Sequence, residues 1–297
     1  MGWQVDFVGE VLYLLRSKLK KEVNVMPTFM KNIWLEFWDW RRQWFQTVTL
    51  IMVIFLPSIL GVQNILFKIF WEDKIDIASE VGDLGAGLIF AMLYLWAIRQ
   101  WNREEVLNCS GIYHKHSYMG YCFCSGILGY KKCNLRLVPI YLQFKLVING
   151  VFAEYIYNEG IRETPKNEKE AEVHCENNSS YTQKINLILI DTYTIEKGQL
   201  PADVLNLTSI YVKRYGSKNN HVRYSSEKFV KKVLNTVRQL PEIVTEINIF
   251  ATLNPSNCYN IAKEVFSTGG RDHIKHLWVY QQDGESPRHF TKKVKVF

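Results

Sequence analysis

No charged residue lies between Arg42 and Lys68, and none between Asp83 and Arg99. Such gaps exclude an ordinary solvated surface for both stretches. Also missing are the G-x-x-x-x-G-K-[ST] loop, the H-E-x-x-H pair and the G-x-S-x-G elbow, so no phosphate-cradling P-loop, zinc-protease helix or hydrolase nucleophile is written here. No residue pair has the arrangement of a catalytic dyad, and the chain reads as a non-enzyme. The polybasic, aromatic-interleaved stripe of a dedicated nucleic-acid binder is absent too, which excludes a DNA or RNA polymer as the expected partner. The first residues lack an apolar run that closes on a small-residue cleavage site, so no cleavable signal peptide is expected.

What fills the two gaps is apolar. The first holds TVTLIMVIFLPSILGVQNILF, close to the roughly 20 helical residues that a hydrocarbon core requires. The second, LGAGLIFAMLYLWAI, is shorter, and Arg99 can snorkel at its end. Trp34, Trp38, Trp40, Trp44 and Phe45 crowd one border, and Trp96 and Trp101 mark another, as in an interfacial aromatic belt. The alternative is a buried helical hairpin of a soluble protein. Pro57 and Gly61 do not decide between the two, because membrane helices tolerate both residue types. Gly82, Gly85 and Gly87 open the second stretch and suit close helix packing.

Flanking charge gives an orientation. Residues 1–42 carry seven Lys/Arg, whereas the linker from Lys68 to Asp83 holds two lysines against five acids. The basic side stays inside, so both termini and the C-terminal segment are expected in the cytoplasm of an inner-membrane, multi-pass protein. The net charge of +7 fits juxtamembrane attraction to anionic lipid. The six cysteines would be thiols in that reducing compartment. Residues 1–43 read as amphipathic or tryptophan-rich helices, either lying in the interface plane or packed on a neighbouring subunit.

Beyond the hairpin, residues 104–297 form one expected domain. LRLVPIYLQFKLVINGVFAEYIY reads as strands with Asn149-Gly150 as a hairpin turn. Residues 162–180 read as an exposed connection. KINLILI (184–190), EINIFATL (246–253) and HIKHLWVYQ (273–281) read as strands. SSEKFVKKVLNTVRQL (225–240) and PSNCYNIAKEVF (255–266) read as helices with one apolar face. Strands alternating with helices predict an α/β fold with a parallel, Rossmann-like sheet.

The turn at 253–257 is the candidate site. Asn254 suits the N-cap and Pro255 the first helical position, so free amides at Ser256 and Asn257 would face the carboxyl edge of the sheet, where phosphates bind. Asp191, Thr192 and Tyr193 leave the strand at 190 on the same edge. Lys213, Arg214 and Arg223 are second-tier candidates for neutralising further phosphates. On this reading Ser256→Asp should repel a ligand phosphate while sparing the fold. His114-x-His116 and Cys122-x-Cys124 have zinc-ligand types, but alternation along a strand explains the spacing equally, and no metal is expected.

The segment EINIFATLNPSNCYNIAKEVF, followed by IKHLWVYQQDGES, resembles the closing half of a SAVED domain. That family is similar to two fused CARF units and senses cyclic oligonucleotides in bacterial antiviral signalling. A two-helix membrane segment ahead of such a domain resembles the TM-SAVED effectors of CBASS systems. The resemblance implies an antiphage effector activated by a cyclic oligonucleotide and needing no cofactor, with the second CARF-like half at about 184–297. It also implies a homo-oligomer that disrupts the inner membrane. Two alternatives stand beside it: a STING-like membrane sensor of cyclic dinucleotides, and a membrane-anchored enzyme or transport accessory with a Rossmann-like domain.

Overall fold

The computed structural model describes residues 39–60, 77–177, 181–214, 223–267, 273–284 and 287–297. The expected helices of the first 38 residues therefore lie outside the described part. The chain divides into two compact units between Gln100 and Trp101.

In the first unit the described part of the first uncharged stretch and the whole of the second are helical, as α1 (Arg41–Leu60) and α2 (Ile77–Asn102). A Cβ on Gly87 would lie 2.2 Å from the Ile54 carbonyl oxygen, whereas one on Gly85 would meet nothing within 4 Å. The two backbones therefore touch at Gly87, as small-residue helix contacts do. Thr49 and Tyr94 hydroxyls are hydrogen-bonded across the same pair. Among the described residues no helix is long and apolar enough to cross a membrane. The expected first span continues to Phe67, and residues 61–76 are not among those described.

The second unit begins with a small parallel sheet, β1 (Val106–Leu107), β2 (Lys132–Asn134) and β3 (Glu154–Ile156), in that order. Two helices interleave with it, α3 (Tyr118–Gly126) and α4 (Ile140–Ile148). Much of this region reads as strand in the sequence, and α4 is the main correction. Its β-branched and aromatic residues suggest a strand, yet Leu142, Leu146 and Val147 are buried at helical spacing. Asn149-Gly150 is no hairpin turn. Gly150 has φ +58, its N–H donates to the Val147 carbonyl, and Val151 N–H donates to the Leu146 carbonyl, both at 3.1 Å. These two bonds form a Schellman helix end, for which glycine is favoured because it lacks a Cβ.

A six-stranded sheet follows, with strand order β4-β6-β5-β7-β8-β9. Its central strands are β6 (Ser209–Lys213), β5 (Lys184–Ile190), β7 (Glu246–Ala251) and β8 (His276–Gln282), all parallel. The edges β4 (Glu172–Glu176) and β9 (Phe290–Lys295) run antiparallel. The segment expected to be an exposed connection thus contains an edge strand. Glu172, Glu176 and Lys292, Lys293 and Lys295 supply the charges that edge strands commonly carry.

One face of this sheet packs on helices. Ile185, Leu187 and Leu189 of β5 meet Phe229, Val233 and Val237 of α5 (Glu227–Arg238). They also meet Ile261, Val265 and Phe266 of the helix that starts as α6 (Pro255–Asn260) and continues as a π-helix over Ile261–Ser267. The other face packs Ile188, Ile190, Phe250 and Tyr280 against Ile195, Leu200 and Val204 from the β5–β6 connection. A buried polar pair pins the register: Asn248 Nδ2 donates to Asn186 Oδ1 at 3.3 Å, and Asn186 Nδ2 donates to the Val204 carbonyl at 2.8 Å.

The order sets the site. β5 connects outward to β6 across one face, while its other neighbour, β7, connects through α6 to β8 across the opposite face. The two connections part at the carboxyl ends of β5 and β7, a topological switch point where open α/β sheets usually hold ligands.

Candidate functional site

At the switch point the first feature is a buried carboxylate. Asp191 is fully buried at the end of β5. Its Oδ2 accepts from Asn254 N at 2.9 Å, from Asn254 Nδ2 at 2.7 Å and from Asn257 Nδ2 at 3.0 Å. Its Oδ1 accepts from Arg214 Nε, and Arg214 Nη2 also donates to the Asp191 carbonyl at 3.0 Å. The Arg214 guanidinium lies 4.0 Å from the centre of the Tyr224 ring. Burial pushes the Asp191 pKa up, while Arg214 and the amide donors pull it back down.

The N-cap forms as the sequence suggests: Asn254 Oδ1 accepts from Asn257 N at 3.0 Å. Its electrostatic partner, however, is internal. The anion that a helix N-terminus favours is here the chain's own Asp191, held 63 residues away in sequence. Asn257 is committed as well, its Oδ1 accepting from Ser226 N at 2.8 Å. Ser256 is fully buried, and its Oγ has no hydrogen-bond partner. Ser256→Asp would therefore bury a second carboxylate in the turn that already holds Asp191. The expectation that it spares the fold is replaced by one of destabilisation.

In front of this network lies a crevice of about 220 Å³. Thr192 and Tyr193 line it from beyond the end of β5, residues 251–255 from the end of β7 and its turn into α6, and Tyr280, Gln281 and Gln282 from β8. Leu137 and Val138 contribute from just before α4 and Ile140 and Gln143 from its first turn, with Tyr113 and Arg223 completing the wall. The structure thus brings Thr192, Tyr193, Arg223, Asn254 and Pro255 together at the crevice. It sets Asp191, Arg214, Ser256 and Asn257 in the framework behind. Lys213 ends β6, half-buried, and does not line the crevice.

The lining is mostly neutral. Arg223 is the one charged side chain among the described lining residues, and it is exposed. Tyr193 hydroxyl donates to Gln282 Oε1 at 2.6 Å, and Gln281 Nε2 donates to Tyr113 hydroxyl at 3.5 Å. Burial pushes the Tyr113 phenol up to about 12, so it stays protonated throughout the physiological range. Gln143 Nε2 donates to the Val138 carbonyl at 2.7 Å. Gln143 Oε1, Gln281 Oε1 and Gln282 Nε2 are buried with no hydrogen-bond partner.

Tyr113, Gln143, Gln281 and Gln282 escape the sequence reading because their segments are far apart in the chain. A usable signal existed for two of them: polar residues just beyond a parallel strand, as in YQQD, fall on the ligand-binding edge. The histidine and cysteine pairs resolve differently. Residues 118–126 form α3 rather than a strand, which buries Cys124 and leaves Cys122 half-exposed. Among the described residues these thiols join no metal-ligand group with His114 and His116.

Comparison with known proteins places the chain. The family model of the SUa-2TM domain, the SMODS- and ubiquitin system-associated 2TM effector domain, matches residues 76–297. The chain belongs to that family. Among solved structures it is similar to the Acinetobacter baumannii Cap4 SAVED/CARF-domain receptor with the cyclic trinucleotide 3′3′3′-cAAA, at 10% identity and a TM-score of 0.40. That match covers 60% of this chain and 42% of the receptor. The same receptor with 2′3′3′-cAAA gives 10% identity and a TM-score of 0.42, covering 60% and 41%. The matched region is thus less than half of either receptor chain. No curated protein matches this chain.

Proposed function

We propose that this member of the SUa-2TM family is a cyclic-oligonucleotide-activated effector of antiphage defence that acts on the inner membrane through its N-terminal hairpin. The observation that carries the proposal is the crevice at the carboxyl edge of β5, β7 and β8, with buried polar ends that no protein group satisfies. The family description, an effector domain named for two transmembrane segments, supports the membrane half. So do the outward-facing apolar side chains of α1 and α2, among them Ile59 at 75% exposure and Trp96 at 65%.

In this scheme both termini and the α/β unit are cytoplasmic, and several copies assemble because one hairpin cannot enclose a pore. The ligand must bind the assembled state more tightly than the unassembled one, since equal affinity for both shifts nothing. The site has no catalytic role, and the crevice uses no metal or cofactor. It lies within a single unit, so one nucleotide binds per chain, whereas a site shared across a dimer would give one per two chains.

Titration calorimetry of the full chain in detergent, with cyclic di- and trinucleotides of each base, tests the sensing half. A saturable response at one ligand per chain is expected. Absence of binding across the whole set would contradict it, and a ratio of one per two chains would favour the STING-like arrangement instead.

A further inference from the structure

Three glutamine amides at the crevice are each satisfied at one end only. Gln143 and Gln281 use their Nε2 atoms, on the Val138 carbonyl and the Tyr113 hydroxyl, and leave Oε1 without a partner. Gln282 does the reverse: its Oε1 accepts from Tyr193 and its Nε2 has none. A buried amide end left unpaired carries the full desolvation cost of that group. The paired ends hold the Val138 carbonyl and the Tyr113 and Tyr193 hydroxyls, and the unpaired ends are left for a ligand to complete.

The geometry points to a neutral, hydrogen-bonding ring as the group that completes them. We infer that the crevice reads a nucleobase carrying an exocyclic amine, through Gln143 Oε1, Gln281 Oε1 and Gln282 Nε2. Two free acceptors and one free donor call for two N–H donors beside one acceptor. Adenine and cytosine present that set as an amino group next to a ring nitrogen, and guanine as two N–H groups beside its carbonyl. Uracil presents the opposite count, one N–H between two carbonyls. A phosphate has no N–H to offer either acceptor, and the neutral lining does not suit its charge.

Size agrees with a single base. The crevice, at about 220 Å³, is smaller than the roughly 300–1,000 Å³ of sites that enclose a drug-sized ligand. One base enters, and the sugar-phosphate ring stays at the mouth, where the exposed Arg223 can meet it. Tyr113 and Tyr193, held by Gln281 and Gln282, supply aromatic walls for that base.

This inference rests on the crevice being the nucleotide site, and its test separates the two claims. Equilibrium binding is measured on the full chain in detergent with cyclic tri-adenylate and cyclic tri-uridylate as probes. The wild-type chain should prefer the adenine ring by about 100-fold or more, because unpaired polar groups reject a mismatched edge. Gln143→Leu and Gln282→Leu should each weaken the adenine probe by about tenfold and narrow the preference. Arg223→Ala should weaken both probes alike. Equal wild-type affinity for the two probes would overturn base reading while leaving nucleotide sensing intact, and needs no variant to fold. Glutamine variants that lower both affinities equally would overturn it as well. Failure of both probes and of every other cyclic nucleotide would overturn the sensing proposal and this inference together.

Discussion

The two units of this chain use the same residue types with opposite outcomes. In α1 and α2, Met52, Ile59 and Met92 point outward, with 61%, 75% and 61% of their surface exposed. In β5 and β7, Ile185, Leu187, Ile247 and Ile249 have none exposed. The α/β unit solves the burial problem by itself, sealing its apolar strands under α4, α5 and α6. Among the described residues nothing covers this apolar surface of the helix pair, and in the proposed function lipid does. Polar groups show the reverse contrast: the α/β unit buries an ion pair and a set of amides at its carboxyl edge.

Breaking the α/β side should cost most at the buried ion pair. Asp191→Ala removes the carboxylate that joins Arg214, Asn254 and Asn257 and leaves Arg214 charged and buried, a loss of about 3–5 kcal/mol. Denaturant unfolding of the full chain in detergent, followed by tryptophan fluorescence, reads this directly. A change below 1 kcal/mol would show that the network is not the keystone of the turn.

On the hairpin side, Gly87→Leu forces a side chain against the Ile54 backbone and should cost the helix pair about 1–3 kcal/mol. At protein densities too low for the wild-type chain to assemble, nucleotide affinity of the α/β unit should stay within twofold, so titration alongside an α1–α2 crosslinking assay sharpens the comparison. Loss of binding together with loss of the helix contact would deny the two units their separate roles.

Smaller is the effect of Gly150→Ala, which places a Cβ at φ +58 in the Schellman end of α4 and should cost about 1–2 kcal/mol. Thermal unfolding measures it, and an unchanged midpoint would show that the left-handed position is not enforced.

The smallest effect is confined to alkaline conditions. Burial raises Tyr113 and Tyr280 to about 12, whereas an unfolded phenol ionises near 10. Between those values the native state binds more protons than the unfolded one, so stability falls as pH rises past about 10. Below that it should be unaffected by either tyrosine. Urea midpoints taken from pH 8 to 11 check the sign, and a rise in stability over the last unit would contradict it.

How much of this was legible in the sequence follows from the range of the forces involved. KINLILI gave β5 over 184–190 because a strand buried on both faces needs a nearly continuous apolar run. The apolar face of α5 and its Ser226 cap were equally local. Segment 135–157 misleads because β-branched and aromatic residues suit strands and helices alike once buried, and Asn-Gly ends helices as readily as it turns hairpins. At the site, the Asn254 cap was visible, but its anion was not. Nothing local tells that Asp191 folds back onto a turn 63 residues later, so the sequence does not show which anion the helix start faces. The three half-used glutamines come from segments that meet only in the folded sheet.

The central claim is that a nucleotide received by the α/β unit makes the hairpin act on a membrane. Its most direct test is dye release from sealed vesicles of inner-membrane phospholipids carrying the full-length protein, with cyclic tri-adenylate added outside. The account predicts release that depends on the nucleotide and on protein density, weakened by Gln143→Leu and lost in Gly87→Leu. Vesicles that bind the nucleotide and stay sealed at every protein density would contradict it.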